Sequence, residues 1–307
     1  MSPATRACLA IACAMLTLVS LDGCASSRKN ASSNVTSVGV PDYATIAEQY
    51  NARTTRLDRL WSRAVVQVRY TDEKGRARRQ QGEGHLQVVQ PHNVALSIGK
   101  LGEVLFWLGA DSERFWIFEL SDSDRVSVCR HDNVGTQCAQ PMSVPVHPLT
   151  MMELLAITPL PPDELGTVTH DPELDRYVVD IPMGRGIRRM HLDTSTLLPR
   201  RVELYDAESS LVVWSQLDEY ERIAMSGSPG FNPQVATRIQ IDSSTNDAQV
   251  RVFLSDASDG VAIGRIPDAA FDFETLVRAH RPGETIVLDE RCPTPSIATR
   301  TTRVGSQ

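Results

Sequence analysis

Apolar and polar positions alternate along most of the chain, and one stretch concentrates the signal. From Val94 to Leu120 three short apolar runs are separated by Gly99-Lys100-Leu101-Gly102 and Ala110-Asp111-Ser112-Glu113, which predicts two consecutive hairpins. If each break closes symmetrically, Leu96 faces Leu105, Trp107 faces Trp116 and Leu105 faces Phe118. Phe106 and Leu108 then meet Ile117 and Phe115 on the opposite side. Both faces of this meander are apolar, so the second must be covered by another layer or line a cavity.

Before the meander, Ile46, Tyr50, Leu57, Leu60 and Trp61 recur near helical spacing, predicting an amphipathic helix from Pro41-Asp42 to about Arg63. A strand over Ala64 to Tyr70, with Val66, Val68 and Tyr70 on one side, turns at Asp72-Glu73-Lys74-Gly75 into a second strand from about Arg78 to Gln90. The cluster Lys74, Arg76, Arg78 and Arg79 is either a contact for anionic headgroups or an acidic partner, or a solvated hairpin tip. After the meander, Cys129 to Cys138 reads as a hairpin turning at Asn133-Val134. A short apolar helix follows, with Thr150 and Glu153 at capping-box spacing and Pro159 as its stop. Its Met151, Leu154 and Leu155 share a face, which suits a movable lid over a hydrophobic cavity and equally a plug in an ordinary core.

The second half is again strands: Arg176 to Ile181, Ile187 to Leu192, Arg201 to Tyr205, Leu211 to Ile223, Ala236 to Ile241 and Gln249 to Leu254. Turn-forming breaks join them as hairpins, so the pattern is nearly all antiparallel. A helical turn near Leu276 and a last strand from Thr285 to Leu288 precede a polar tail.

The amino terminus changes the picture. Arg6 precedes an apolar run from Ala7 to Val19, too short for a membrane span of roughly 20 residues but suited to a secretory signal. Leu21-Asp22-Gly23-Cys24 resembles the lipobox of bacterial lipoproteins, whose cysteine is acylated; Asp22 departs from the usual small or apolar residue. The plainer alternative is a cleaved signal with an incidental cysteine. The lipobox resemblance, with Ala25 rather than aspartate after the cysteine, implies a lipid anchor on Cys24 in the outer membrane. Residues 24–40 have almost no large apolar side chains and read as a flexible tether. The expected organisation is therefore signal peptide 1–23, lipidated cysteine and tether 24–40, one domain 41–290 and tail 291–307.

The 307 residues carry a net charge of −7, which argues against a nucleic-acid partner. Once Cys8, Cys13 and Cys24 are accounted for, Cys129, Cys138 and Cys292 remain. A disulfide between Cys129 and Cys138 across the expected hairpin is the favoured pairing, three free thiols the alternative. No common catalytic or phosphate-binding motif is present, the seven histidines show no ligand spacing, and Asp256 to Gly260 reads as a turn rather than a calcium loop. No enzyme, metal site or cofactor is expected.

The order of signal, acylated cysteine, tether, first helix, long antiparallel sheet, apolar helix and further strands resembles the LolA/LolB group of periplasmic lipoprotein carriers and outer-membrane receptors. That resemblance implies a mainly β fold, a half-open antiparallel barrel with a few helices packed against or into its concave face. It implies no enzymatic activity and an apolar cavity for palmitate-like acyl chains, lipoprotein cargo or another hydrophobic ligand. Val104, Phe106, Leu108, Phe115, Ile117, Met151, Leu154 and Leu155 are the candidate lining. Leu101, before Gly102 in an inter-strand loop, matches the receptor's exposed leucine and so implies membrane or cargo contact; alternatively it is an incidental turn residue. The rival to a carrier is an adaptor that binds a periplasmic protein partner on the barrel as a scaffold.

Overall fold

The computed structural model describes residues 39–71, 75–121, 124–133, 147–162, 165–184, 186–227, 232–244, 248–261 and 264–291. Helix α1 (Tyr43–Thr54) starts at Asp42, whose carboxylate accepts from Thr45 N, and it is followed by a six-strand meander. Its strands are β1 (Arg59–Thr71), β2 (Ala77–Val89), β3 (Asn93–Lys100), β4 (Glu103–Ala110), β5 (Arg114–Glu119) and β6 (Arg125–Arg130). Helix α2 (Pro148–Leu154) separates these from a second meander. The latter comprises β7 (Thr167–Asp171), β8 (Arg176–Met183), β9 (Gly186–Asp193), β10 (Pro199–Tyr205), β11 (Leu211–Arg222), β12 (Gln234–Ser243) and β13 (Gln249–Ser258). A 3₁₀ turn (Asp268–Phe271), helix α3 (Phe273–His280) and β14 (Glu284–Val287) close the described chain.

The two meanders join through antiparallel pairing of β1 with β13, giving one open sheet of 14 strands in the order β14-β6-β5-β4-β3-β2-β1-β13-β12-β11-β10-β9-β8-β7. β14 pairs in parallel with β6, and the other strand ladders among the described residues are antiparallel. The fold is thus the expected mainly β, half-open antiparallel arrangement with helices against it. No described helix is long and apolar enough to cross a membrane.

Several local expectations are corrected. Helix α1 ends at Thr54, so Leu57 lies in the following turn, and Leu60 and Trp61 belong to β1. The meander register is shifted: Leu96 faces Leu108, Ile98 faces Phe106, Trp107 faces Phe118 and Gly109 faces Trp116. For β3 and β4 the reason lies in the first turn, a two-residue loop centred on Leu101-Gly102 rather than Lys100-Leu101, with a bulge between Ile98 and Gly99; for β4 and β5 it lies in the second turn, a four-residue loop between Ala110 and Phe115. A Cβ at Gly99 would lie 2.3 Å from Glu103 O, so glycine permits that bulge. β14 pairs with β6 over Arg125–Val128, and His131–Asn133 form a 3₁₀ turn; residues 134–138 of the hairpin expected after Cys129 lie outside the described residues. Cys129 carries a free, buried thiol that contacts Asp289 Oδ1 at 3.5 Å. Burial, then the Asp289 charge, push that thiol up to about 12. Cys24, Cys138 and Cys292 lie outside the described residues.

The two apolar faces of the meander are both covered. On the inner face Leu96, Leu108, Phe115 and Ile117 join a central core with α1, α2 and the inward residues of the second meander, such as Val179, Leu192, Val202 and Ile239. On the outer face Trp116, Phe118, Val126 and Val128 pack under Phe273 and Leu276 of α3. Trp61 and Ala95 pack under Ile266, Ala270 and Phe271. The second face is therefore a wall between two layers.

Candidate functional site

The part of the molecule that matches the expected cavity is the inner face beneath α2. Pro148 opens this helix with a fixed backbone angle, and its N-cap is His147, whose Nδ1 accepts from Leu149 N at 3.2 Å. The expected Thr150 cap is not used; Thr150 lies within the helix. Met151, Met152, Leu154 and Leu155 are buried in the central core. Of the candidate lining, Leu108, Phe115, Ile117, Met151, Leu154 and Leu155 come together there, with Phe106 half-buried against them. Val104 is half-buried beside Gly99 and stands apart from that core. The inner face is occupied by the protein's own side chains.

What the sequence did not reveal is how α2 is fastened. Ser215 Oγ donates to Leu154 O at 2.6 Å. Ala156, in the left-handed region at φ 53°, offers a carbonyl that accepts from Tyr50 Oη at 2.8 Å and from Arg53 Nη2 at 2.7 Å. Arg53 Nη1 reaches Gln234 O on β12 at 3.0 Å, so one guanidinium ties α1, the exit of α2 and the second meander. Gln90 donates to Ile157 O and Leu57 O, and Asn51 exchanges two bonds with the backbone of Leu160. Arg188 donates to Thr158 Oγ1 at 3.0 Å. Burial raises the Glu153 carboxyl, while the Arg188 charge opposes that rise. One trace of this site was visible: Arg53 follows Ile46 and Tyr50 at the spacing of the helix's apolar face, and it is buried there.

The other end of α2 is held by a chain of imidazoles. His131 Nδ1 and His147 Nε2 are 3.2 Å apart, and His131 Nε2 is 2.8 Å from Asp111 O. Because His147 Nδ1 accepts from Leu149 N, its proton sits on Nε2 and is donated to His131 Nδ1. His131 then donates from Nε2 to Asp111 O. The directions agree only if both rings are neutral. Burial, helped by His131, pulls His147 down to about 3, and its ring packs edge-on against Phe115 at 4.5 Å. Sixteen positions separate the two histidines, so sequence spacing gave no sign of the pair.

Leu101 lies at the tip of the β3–β4 hairpin, 96% exposed and at φ 54°. Two-residue turns of this kind favour asparagine or glycine at that position, and a bulky side chain there stores strain. On the outer face of β8 to β10, burial of Glu203 is outweighed by the approach of His191 at 3.5 Å and by bonds from Tyr205 and Arg201, which hold its carboxyl at about 2. Among the described residues no group of three His, Cys, Asp or Glu is placed to hold a metal ion.

No protein-family model and no curated protein matches the chain. Its fold does match solved structures. A LolA superfamily protein from Nitrosomonas europaea superposes with a TM-score of 0.51 over 76% of this chain and 99% of that one, at 14% identity. A DUF1329 family protein from Desulfovibrio piger gives 0.52 over 76% and 97%, at 13% identity. A putative outer membrane lipoprotein-sorting protein domain from Vibrio parahaemolyticus gives 0.50 over 70% and 90%, at 12% identity. The likeness is one of fold: this chain has a LolA-like fold.

Proposed function

We infer that the protein is a non-enzymatic, outer-membrane lipoprotein, anchored through Cys24, that takes acyl chains between its sheet and α2 and passes them on. The observation that carries this reading is the seating of α2. A Met-rich apolar helix fills the inner face of a LolA-like sheet, and its two ends are held by side chains from other elements. Displacing α2 would uncover the apolar residues Leu108, Phe115 and Ile117, where each buried methylene of an acyl chain is worth about 0.8 kcal/mol. Leu101 is the residue that enters the membrane on delivery. Turn chemistry disfavours a leucine there, so its presence at a solvent-exposed tip calls for a role other than forming the turn. A second reading, an inert adaptor scaffold for a periplasmic protein, is favoured by the filled inner face.

One experiment separates them. Purified protein is incubated with phospholipid, weighed by native mass spectrometry, then mixed with acceptor vesicles; wild type, Leu101→Glu and Cys24→Ser are compared. A carrier gains the mass of a lipid and releases it to vesicles. Leu101→Glu loads equally but delivers several-fold more slowly, and Cys24→Ser is recovered from the soluble rather than the membrane fraction. A wild type that never gains lipid mass sinks the carrier reading, and equal delivery by Leu101→Glu reduces Leu101 to a turn residue.

A further inference from the structure

The outer face of the sheet carries a basic cleft at the same end as Leu101. Arg69 on β1 stands directly opposite Arg79 on β2, and Arg251 on β13 stands opposite Gln67, two rungs along and on the same face. With Gln67 and Gln249 these three arginines line a cleft of about 30 Å³, room for one water-sized group. No carboxylate among the described residues lines it. Arg79 Nη2 donates to Gln67 Oε1 at 3.0 Å and Arg251 Nε to Gln240 Oε1 at 3.2 Å, so both spend a donor on a neutral amide. The nearby Asp242 is engaged by Gln240 and Gln249. Like charges directly opposite in an antiparallel pair repel, and no described residue lining the cleft carries a negative charge to offset that repulsion. An oxyanion would: guanidinium forks suit phosphate oxygens, and the adjacent amides supply further donors.

Position selects the source of that oxyanion. The last rung between β2 and β3 is Glu83 opposite Gly99, and β1 and β2 run on past it as a two-stranded ribbon to Thr71 and Ala77. At about 3.3 Å per residue, Arg79 projects roughly 13 Å beyond that rung and Leu101 roughly 7 Å, in the same direction. One rim of the molecule thus carries both an exposed apolar finger and a cleft of unneutralised guanidinium groups.

We propose that this rim docks on an anionic bilayer, with a phospholipid phosphate held by Arg69, Arg79 and Arg251 while Leu101 enters the apolar layer. The proposal deepens the carrier reading and rests on it for the role of Leu101. The arginine cleft makes its own measurable contribution. The test uses the full chain carrying Cys24→Ser, so that no acyl anchor holds it, in vesicle flotation. Vesicles are pure phosphatidylcholine or contain 30% phosphatidylglycerol, at low and high salt.

The expected result is preference for the phosphatidylglycerol vesicles that fades as salt rises, and a loss on the order of 100-fold in the Arg69→Gln, Arg79→Gln, Arg251→Gln triple variant, at about one kcal/mol per arginine. Circular dichroism and an unchanged unfolding midpoint show that the substitutions, two exposed and one half-buried, leave the fold intact. Equal binding of wild type and triple variant, or no preference between vesicles, overturns the proposal. So does displacement from vesicles by low-millimolar inorganic phosphate at constant ionic strength, which would mark a site for the free ion. Lipid loading measured on the same samples keeps the two readings apart. Docking without loading sinks the carrier alone, and loading without docking sinks the cleft alone.

Discussion

Helices α2 and α3 do the same geometric job on opposite sides of one meander, and they are held in different ways. Each covers an apolar face with fewer than nine residues. Helix α3 is self-sufficient at its ends: Asp272 accepts from Thr275 N at 2.6 Å, and Arg281 closes it in the left-handed conformation. Its grip on the sheet is mainly apolar and aromatic, Phe273 lying 5.6 Å from Trp116 and beneath the Arg114 guanidinium at 4.8 Å, with one exposed ion pair, Arg114 to Glu274 at 3.6 Å. Helix α2 buries apolar side chains too, but its N-cap and the carbonyls at its exit are satisfied by side chains from α1, β11 and the His131 segment. Burial that rests mainly on apolar contact yields only when the whole face is exposed. Directional bonds can be exchanged for others, including bonds to water, which is what the proposed carrier role requires of α2.

The largest effect that tests this contrast lies in α3. Phe273→Ala removes the ring that sits on Trp116 and Phe118, and a cost of about 3–5 kcal/mol is expected in urea unfolding. The loss is global, because the outer cover and the sheet fold as one layer pair. Unchanged stability would show that α3 is a dispensable addition, and the comparison would lose one side.

A smaller and more local effect is expected at the other cover. Arg53→Met keeps the aliphatic stem but removes the bonds to Ala156 O and Gln234 O, at a cost of about 2 kcal/mol. Hydrogen exchange should accelerate mainly over 148–161, with α3 and the outer strands unaffected. Acceleration spread evenly over the chain would mean that Arg53 supports the core at large and does not fasten α2 in particular.

The meander and its two apolar faces were legible because aromatic and aliphatic residues alternate on both sides of β4 and β5, a pattern that turn errors do not erase. Its register was not legible. One bulge at Gly99 and a turn centred one residue later moved Leu96 from the tryptophan side to the side of Phe106 and Leu108. The strand at Thr285 was legible, but its parallel pairing as β14 on the edge of β6 was hidden for a different reason. Its partner β6 lies more than 150 residues earlier, and nothing local distinguishes a strand that closes a long crossover from one that ends a hairpin. The fastening of α2 was the least visible feature. Arg53, Gln90, Ser215 and the two histidines come from elements far apart in the chain, and each alone reads as an ordinary polar residue. Folding converts them into one site by placing unpaired carbonyls of the α2 exit within their reach.

The imidazole chain gives the smallest effect and the one with a definite sign. In the unfolded chain His147 titrates near 6.5; in the folded protein it is held at about 3. Between those values the unfolded state binds a proton that the folded state excludes, so stability is full above pH 6.5 and falls as the pH drops toward 3. The slope is at most about 1.4 kcal/mol per pH unit. The structural reason is that a proton on His147 Nδ1 would face Leu149 N–H and undo the N-cap of α2, and a proton on His131 Nδ1 would face His147 Nε2–H. His147→Asn retains a capping side chain that carries no titrating group. Urea midpoints measured at pH 7.5, 6.0 and 5.0 should fall in the wild type and stay nearly level in His147→Asn once the shared carboxylate titration is subtracted. Parallel curves would show that the imidazole pair does not govern how firmly α2 is held, and the difference between the two covers would then rest on Arg53 and its carbonyl partners alone.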